Sequence, residues 1–358
     1  MGLPTPEGVG KLQKALHAKA KESPEFRFHS LYDKICRPDV LRFAYRIQIK
    51  NDGDPGADRR TFEQIEAYGR EKWLGELAEE LRNKEYEPQP VRRVWIEKDS
   101  GGERPLGIPT IRDRVAQTAA VLILQPIFEA DFHPRQHGYR PGHSAKQAVR
   151  EVHRLVSRGH SEVVDADLSG YFDSIPHREL MKSVSRRISD GAVLELIKMW
   201  LEMPVEATDE GGNTRRSTRA RDERRGTPQG ASISPLLANI YMRRFMVAWE
   251  VLGLEGRLRA RIVNYADDFV ICCRGRAEEA MEAMRQIMDR LRLTVNEEKT
   301  SLRRLPEEDF HFLGYRIGRC YKPRTGRPYI GTRPAKKKVQ GLCREISRQT
   351  SAVREHLD

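Results

Sequence analysis

The stretch Val-Asn-Tyr-Ala-Asp-Asp-Phe-Val-Ile, residues 263–271, places two acidic residues inside a run that is otherwise apolar. The flanking β-branched and aromatic residues predict two strands, so Asp267 and Asp268 fall at the tip of a predicted hairpin. Adjacent carboxylates repel each other, and burial of one without a partner is unfavourable. A divalent cation relieves this repulsion, because Mg²⁺ prefers hard oxygen ligands. An exposed turn whose acids face water is the alternative at this point.

A second predicted strand, Val-Val-Asp-Ala-Asp-Leu at 163–168, also carries acids. The alternation of a strand puts Asp165 and Asp167 on one face. If this strand lies beside the hairpin in one sheet, a carboxylate of the strand joins Asp267 and Asp268 in binding two metal ions. Such a pair of ions activates an attacking hydroxyl and stabilises the leaving oxygen of a phosphoryl transfer. The spacing alone does not bring the two segments together.

The composition is that of a folded protein with an anionic partner. Hydrophobic residues make up 38% and charged residues 32% of the 358 residues, which excludes a disordered chain. The net charge of +12 favours nucleic acid over a membrane surface. The sequence has no apolar run long enough to cross a bilayer and begins without the apolar core of a secretory signal. We therefore expect a cytoplasmic protein with no membrane partner.

Five cysteines without a Cys-x-x-Cys pair argue against a zinc site or a disulfide framework. Periodicity predicts helices up to about residue 90 and a β-hairpin from 91 to 109. A helix from Arg112 to about Ala130 follows, then one capped by Ser144 that runs through Val156. Strand 163–168 and the 263–271 hairpin are joined by further helices, one of them capped by Ser234. The mixture predicts an α+β fold with an antiparallel sheet.

The last part of the chain is predicted to contain two short strands, around 312–317 and 329–330, and a basic helix from about Pro334. An apolar stripe at helical spacing between 280 and 291 predicts a helix before them. Its methionines are interpreted as core residues rather than as a binding box.

Several segments resemble those of one enzyme family. Tyr-Ala-Asp-Asp at 265–268 resembles the signature hairpin of reverse transcriptases, and Asp-Leu-Ser-Gly-Tyr-Phe-Asp at 167–173 resembles their first catalytic strand. Residues 226–241 closely resemble the segment between these two in group II intron-encoded reverse transcriptases. Residues 104–114, 137–144 and 312–315 resemble other segments of the same family. The resemblance runs from about Asp54 to the C-terminus, with six blocks in family order, and is therefore specific.

The resemblance implies a right-hand polymerase with helical and β-hairpin fingers, an antiparallel-sheet palm and a thumb that is only begun. The segments it implies are an N-terminal helical extension and start of the fingers at 1–90, fingers at 91–160, a palm strand with the catalytic Asp at 161–180, an insertion of fingers and palm at 181–225, palm at 226–330 and the start of the thumb helix at 331–358.

By the same resemblance, Asp167, Asp267 and Asp268 are the catalytic residues and the ligands of two Mg²⁺ ions. Asp165 matches no such position and is interpreted as an acid outside the ligand set. Phe172 matches the bulky residue that closes the sugar pocket, where an aromatic ring clashes with a 2′-hydroxyl. Ordinary core packing of Phe172 is the alternative.

Further residues match positions that bind the incoming nucleotide. Gln229 lies near the nucleotide in the family, and Gly230 lets the backbone approach it closely. Lys98 and Arg104 match the basic pair of the fingers that grips the triphosphate. Lys299 matches a palm lysine near the nucleotide, with a solvated surface lysine as the alternative.

Six basic residues are candidates for contacts with nucleic-acid phosphates. For three of them, structural ion pairs are an equal alternative, and the other three begin the predicted last helix, where they would face a duplex backbone. The first group is Arg112, Arg114 and Arg140, and the second is Lys336, Lys337 and Lys338.

The predicted function is RNA-directed DNA synthesis of the group II intron type. The 3′-hydroxyl of a DNA primer attacks a deoxynucleoside triphosphate on an RNA template, in support of intron splicing and mobility. One alternative is a maturase that binds structured intron RNA without essential polymerisation. Another is a related bacterial reverse transcriptase that serves a defence or adaptation system. The sequence ends inside the predicted thumb helix, which leaves processive synthesis and intron binding open.

Overall fold

A computed structural model describes residues 3–97, 103–208, 211 and 213–354 of the chain. The helices, numbered in chain order, are α1 (Glu7–Glu22), α2 (Tyr32–Ile35), α3 (Pro38–Asn51), α4 (Phe62–Tyr68), α5 (Arg70–Asn83), α6 (Ile111–Glu129), α7 (Ala145–Ser157), α8 (Tyr171–Ser174), α9 (His177–Ser185), α10 (Gly191–Leu201), α11 (Arg219–Glu223), α12 (Ser234–Val251), α13 (Leu254–Arg257), α14 (Ala277–Arg290) and α15 (Lys336–Arg354). The strands are β1 (Val91–Glu97), β2 (Glu103–Ile108), β3 (Glu162–Ala166), β4 (Val205–Thr208), β5 (Thr214–Ser217), β6 (Ala260–Tyr265), β7 (Asp268–Cys273), β8 (Ser301–Arg304), β9 (Phe310–Phe312), β10 (Tyr315–Tyr321) and β11 (Pro328–Pro334).

The chain divides into two compact units, each built from two segments. The first unit comprises Met1–Phe132 and Gly170–Arg244, and the second comprises His133–Ser169 and Phe245–Asp358. Helix α12 begins in the first unit and ends in the second.

Helix α6 is the centre of the first unit. It is buried along most of its length, as expected for a helix enclosed by others, and its first turns bury polar side chains as well as apolar ones. Helices α1, α2 and α3 pack against it. The Thr110 side chain accepts a hydrogen bond from the backbone N–H of Asp113 and so caps its first turn. The predicted helix from Arg112 to about Ala130 is confirmed.

The sheet of the first unit has the strand order β2-β1-β4-β5. Strands β1 and β2 form the predicted antiparallel hairpin, with Val94 opposite Leu106. Strand β4 pairs with β1 in parallel, and β4 and β5 form a second hairpin in the polar segment after Val205. The predicted turn at 99–102 and Lys98 lie outside the described residues.

The sheet of the second unit that carries the acidic segments has the order β6-β7-β3-β8. Strands β6 and β7 form the predicted hairpin, and β3 pairs antiparallel with β7, with Asp165 opposite Val270 and Ala166 opposite Phe269. The prediction that strand 163–168 lies beside the hairpin is therefore confirmed.

One face of this sheet is covered by α7 and by a second sheet of order β11-β10-β9. The buried cluster between them includes Val152, Val163, Val270, Phe310 and Ile317. Helix α14 packs on the other side against β3 and β7. Its buried stripe of alanine, methionine and isoleucine was predicted as core from its spacing. At the start of α7, the predicted N-cap Ser144 accepts a hydrogen bond from the backbone N–H of Gln147.

Two local predictions are corrected. The strand expected around 312–317 is broken, because Leu313 and Gly314 have φ of 51° and 77° and turn the chain between β9 and β10. Ser234 is the first residue of α12 rather than its cap, and its hydroxyl donates to the carbonyl of Pro228 at 2.8 Å.

The fold class is α+β, as predicted, with mostly antiparallel sheets and one parallel strand pair. In the part of the chain that the structure describes, none of the helices combines the length and apolarity that a membrane crossing requires.

Candidate active site

The hairpin of β6 and β7 closes with a two-residue loop. Tyr265 pairs with Asp268, which leaves Ala266 and Asp267 at the tip. Ala266 has φ of 60°, a conformation that usually requires glycine in such loops and is strained for other residues. The Asn264 side chain stabilises it by donating to the carbonyls of Ala266 at 2.8 Å and Asp268 at 3.3 Å. The tip therefore holds Asp267 and Asp268 in one fixed turn.

The segment 135–138 braces this turn from the side. The backbone N–H of His137 donates to the carbonyl of Asn264 at 2.8 Å, and that of Asn264 donates to the carbonyl of Arg135 at 2.9 Å. Gly138 lies so close that an added Cβ would stand 2.2 Å from the backbone nitrogen of Ala266. This role of the segment was missed, because neither periodicity nor composition connects residues that are so distant in sequence.

The strand register carries Asp167 toward the same tip. Ala166 is opposite Phe269, so Asp167, the next residue, follows on the side where Asp268 begins β7. Its backbone is fixed on the other flank, where its carbonyl accepts from the backbone N–H of Asn296 at 2.8 Å. The structure thus brings Asp167 and Asp268 to the same end of neighbouring strands.

The carboxylate of Asp167 has two partners from the loop before β8. Oδ2 of Asp167 accepts from the Asn296 side chain at 3.2 Å and lies 3.3 Å from Nζ of Lys299. The lysine side chain is 68% exposed, so it is free to move on its long stem. The predicted nucleotide lysine therefore lies at the predicted metal ligand.

Asp165 belongs to the same group of charges. It is half-buried, and its pKa is raised to about 6, first by desolvation, then by the negative charge of Asp268 and more weakly by that of Asp167, against the opposing charge of Arg303. The predicted common face of Asp165 and Asp167 agrees with the register of β3 and β7. No pattern in the sequence indicated this electrostatic coupling of Asp165, since its position matches no family ligand.

Three other predicted site residues lie in the first unit. The carbonyl of Phe172 accepts from the backbone N–H of Thr227 at 2.7 Å, which ties the half-buried gate candidate to the 226–230 turn. Gln229 donates from its side chain to Asp173 at 3.0 Å. Gly230 has φ of 106°, and a Cβ there would stand 2.5 Å from the carbonyl oxygen of Gly107. Glycine is required at 230 on both counts.

Arg104 pairs through its backbone with Ile96 in the hairpin of β1 and β2. Two further arginines of the same segment make structural contacts. Arg112 lies over the ring of Tyr86 and pairs with Glu80. Arg114 is buried and donates to the carbonyls of Gly53 and Asp54. Their contacts with nucleic acid stay predictions.

Arg140 donates to the carbonyls of His133 and Gln136 and so holds the bracing segment in shape. The three lysines that begin α15, Lys336, Lys337 and Lys338, are exposed. Lys338 reaches back to the carbonyl of Leu313 at 3.5 Å. Their predicted contact with a duplex likewise stays a prediction.

Carboxylate oxygens are the donors that Mg²⁺ prefers, so the chemistry of the tip fits such an ion. Among the described residues, no three His, Cys, Asp or Glu side chains already stand as a finished metal site. Burial and then the like charges of Asp268 and Asp167 raise the pKa of Asp165, and Lys299 pairs with Asp167, so added positive charge is stabilising at the tip. The residues therefore fit a divalent cation.

Carboxylates gathered at the end of an antiparallel sheet fit metal-assisted phosphoryl transfer, which is the reaction of a nucleotidyl-transferring polymerase. Residues 96–317 match the family model described as reverse transcriptase (RNA-dependent DNA polymerase). The chain belongs to the reverse transcriptase family and is an RNA-directed DNA polymerase. Enzymes of this family act on nucleic acid and use divalent metal ions.

Curated relatives agree with the family. Protein YkfC of Escherichia coli (strain K12) is 34% identical over 86% of this chain and 88% of its own length. Group II intron-encoded protein LtrA of Lactococcus lactis subsp. cremoris is 28% identical over 83% of this chain but 58% of its own length. Nuclear intron maturase 2, mitochondrial, of Arabidopsis thaliana is 30% identical over 31% of this chain. The chain spans little more than half of LtrA, and its relatives put it among the group II intron reverse transcriptases and maturases.

Proposed function

We propose that the chain extends a DNA primer on an RNA template by transferring deoxynucleotides from their triphosphates, with Asp167, Asp267 and Asp268 holding two Mg²⁺ ions. The observation that carries this proposal is the register of β3 against β7, with Asp167 following Ala166 to the end where Asp268 begins. Three acids from two distant segments thereby reach one end of one sheet.

When bound, Mg²⁺ supplies activation of the attacking hydroxyl and stabilisation of the charge on the leaving oxygen. The chain itself holds the acids in position. Asn264 and Gly138 fix the turn that carries Asp267 and Asp268, and Asn296 fixes the backbone of Asp167. Preorganised charge of this kind does not need to rearrange during the reaction.

The residues predicted for the nucleotide have separate tasks. The ring of Phe172 excludes a 2′-hydroxyl by its bulk, and Gln229 presents a polar side chain to the nucleotide. Gly230 lets the backbone come close. Lys98, Arg104 and Lys299 offset the charge of the triphosphate.

The test is primer extension on a defined RNA template with deoxynucleotides and Mg²⁺, with and without a chelator. We expect extension that the chelator abolishes, and loss of extension in Asp267→Asn, with thermal unfolding like that of the parent. Asp222→Asn is the matched control, because Asp222 lies on α11 and is exposed. Full activity of a folded Asp267→Asn protein overturns the proposal.

A structured intron RNA is the proposed natural partner, and the cytoplasm the proposed setting. Support comes from the similarity to LtrA and to the intron maturase, together with the net charge of +12. The basic residues Arg112, Arg114 and Arg140 and the three lysines of α15 are the proposed phosphate contacts. In the same proposal, residues 91–160 form the fingers, 226–330 the palm and 331–358 the start of a thumb. The proposed partner is tested by measuring the affinity for intron RNA and for an unrelated RNA of equal length at several salt concentrations. We expect tighter binding of the intron RNA and weaker binding of both RNAs as salt increases.

A further inference from the structure

Asp173 and Gln229 form a hydrogen bond that the assigned roles do not explain. Nε2 of Gln229 donates to Oδ2 of Asp173 at 3.0 Å. Asp173 follows the gate candidate Phe172 directly, and Gln229 stands in the turn predicted to face the nucleotide. The bond therefore links the element that carries Phe172 to the turn that carries Gln229 and Gly230.

The backbones of the two elements are held together as well. The N–H of Thr227 donates to the carbonyl of Phe172 at 2.7 Å, and the N–H of Gly226 donates to that of Ile175 at 2.9 Å. On the opposite flank, the N–H of Gly107 donates to the carbonyl of Gln229 at 2.6 Å. Because the backbone around Gln229 is held on both sides, the position of its amide group depends only on the side-chain torsion angles.

A glutamine amide has one end that donates and one that accepts. An ionised carboxylate only accepts, so Asp173 selects the NH₂ end and leaves Oε1 as the end that faces away. Burial raises the pKa of Asp173, and the charge of Arg93, on β1 opposite Gly107, opposes this rise together with the hydrogen bond from Gln229. Within the described residues Arg93 itself makes no hydrogen bond or ion pair, so its charge is available to stabilise this acid.

We propose that Asp173 is a positioning residue that sets the orientation of the Gln229 amide, so that its oxygen accepts a hydrogen bond from the sugar of the incoming nucleotide. The reason is chemical. The oxygen of Gln229 needs a hydrogen-bond donor as its partner. The bases differ among the four deoxynucleotides, and the ionised phosphate oxygens are acceptors, so neither supplies a donor that all four share. The 3′-hydroxyl is the donor that all four share outside the base. This inference rests on the proposed function.

The test is single-nucleotide incorporation on one RNA template, with KM and kcat measured for the parent, Asp173→Ala, Gln229→Ala and the double variant. Loss of a hydrogen bond to a charged group predicts that Asp173→Ala raises the KM for a deoxynucleotide roughly tenfold or more. We expect kcat to change far less. In the background of Gln229→Ala, Asp173→Ala should add little, because the two residues act as one unit.

A second readout separates positioning from a merely structural role. The preference for a deoxynucleotide over the same nucleotide without its 3′-hydroxyl should fall in Asp173→Ala and in Gln229→Ala to a similar extent. Asp173→Asn should give values between those of the parent and of the alanine variant. Its amide oxygen accepts from the NH₂ end of Gln229 and its NH₂ group donates to the oxygen end, so asparagine pairs with both orientations and no longer selects one. It also replaces the alanine variant if that protein does not fold.

The control is Asp222→Asn, an exposed acid on α11 bonded to Thr218. Its KM and sugar preference should match the parent. The inference is overturned if the effects of the two alanine substitutions are additive, or if the sugar preference of Asp173→Ala is unchanged. In either case, primer extension by the parent protein still supports the proposed function. Absence of extension by the parent protein with Mg²⁺ overturns the proposed function itself.

Discussion

Nζ of Lys299 lies 3.3 Å from Oδ2 of Asp167, so the acid predicted to bind metal is paired with the lysine predicted to bind the nucleotide. A cation at the acids competes with this ion pair for the same oxygen. Once released, the exposed lysine is free to approach a phosphate group. The pair therefore links metal binding to nucleotide binding through a single side chain.

For Lys299→Ala we expect opposite changes in two measurements. The Mg²⁺ concentration for half-maximal primer extension should fall about 1.5-fold to fivefold, because an exposed ion pair contributes roughly 0.2–1 kcal/mol. The KM for the deoxynucleotide should rise, because one cation near the triphosphate is lost. Lys322→Ala, another exposed lysine of the second unit, is the control. An unchanged Mg²⁺ requirement contradicts the competition.

Phe172→Ala should admit ribonucleotides. Removal of the ring opens the space that a 2′-hydroxyl needs, and pocket contacts of this size change discrimination roughly tenfold or more. Incorporation of a ribonucleotide and its deoxynucleotide on one template measures the ratio. Phe172→Tyr keeps the bulk and should keep the preference. If the alanine variant discriminates like the parent, Phe172 is a packing residue and not the gate.

Gly138→Ala tests the brace at the hairpin tip. The added methyl group would stand 2.2 Å from the nitrogen of Ala266, and overpacking against backbone costs about 1–3 kcal/mol. We expect a lower free energy of unfolding in urea together with a loss of extension, because the turn that carries Asp267 is displaced. Gly75→Ala is the matched control. Gly75 lies inside α5 with no atom near its Cβ position, so alanine there should stabilise by about 0.5–1 kcal/mol. Parent-like stability and activity in Gly138→Ala would show that the tip tolerates the displacement.

The acidic hairpin and its neighbouring strand were predictable from sequence because their signals are local. Alternation placed Asp165 and Asp167 on one face, and two strand-like runs flanked Asp267. The register between them was not predictable, because it depends on pairing across about a hundred residues. In the structure, β3 lies between β7 and β8, and this pairing sets the register.

The segment 135–140 shows the opposite case. Its sequence predicted one candidate phosphate ligand, Arg140, but in the structure the segment supports the turn at Ala266. Such a role depends on the close approach of two backbones, and a single glycine carries no sign of what it approaches. The hydrogen bond between Asp173 and Gln229 was missed for the same reason.

The stability of the second unit should fall as the pH decreases from about 6.5. Burial, together with the charges of His143 and Arg140, lowers the pKa of His137 to about 4. Below pH 6.5 the unfolded chain binds a proton that the folded chain takes up only near pH 4, so protonation favours unfolding in this window. The pKa values of His133 and His160 are lowered in the same direction.

Urea unfolding at pH 7 and pH 5 measures this loss. Each such histidine contributes at most about 1.4 kcal/mol per pH unit. His137→Gln should reduce the loss between the two pH values, whereas the exposed His29→Gln should leave it unchanged. Equal losses in parent and His137→Gln would show that His137 takes up its proton equally in both states.

Between Arg112 and Arg114, both predicted to contact phosphates, lies an acid that the sequence did not single out. Asp113 is fully buried and accepts hydrogen bonds from the hydroxyls of Tyr86 and Thr110, both at 2.7 Å, and from the backbone N–H of Gln89 at 3.1 Å. Burial raises its pKa, and these donors oppose the rise. The acid fixes the start of α6 to the chain that leads into β1.

Asp113→Asn should therefore lower the free energy of unfolding by about 1–3 kcal/mol, because one oxygen becomes an NH₂ group that faces donors and stays unsatisfied. The comparison with Asp222→Asn, where the acid is exposed, isolates burial as the cause, since a surface change of this kind stays within about 0.5 kcal/mol. Urea unfolding at pH 7 measures both. A parent-like stability of Asp113→Asn would mean that the hydroxyls of Tyr86 and Thr110 reorient to accept from the new amide, since each is able to accept as well as donate.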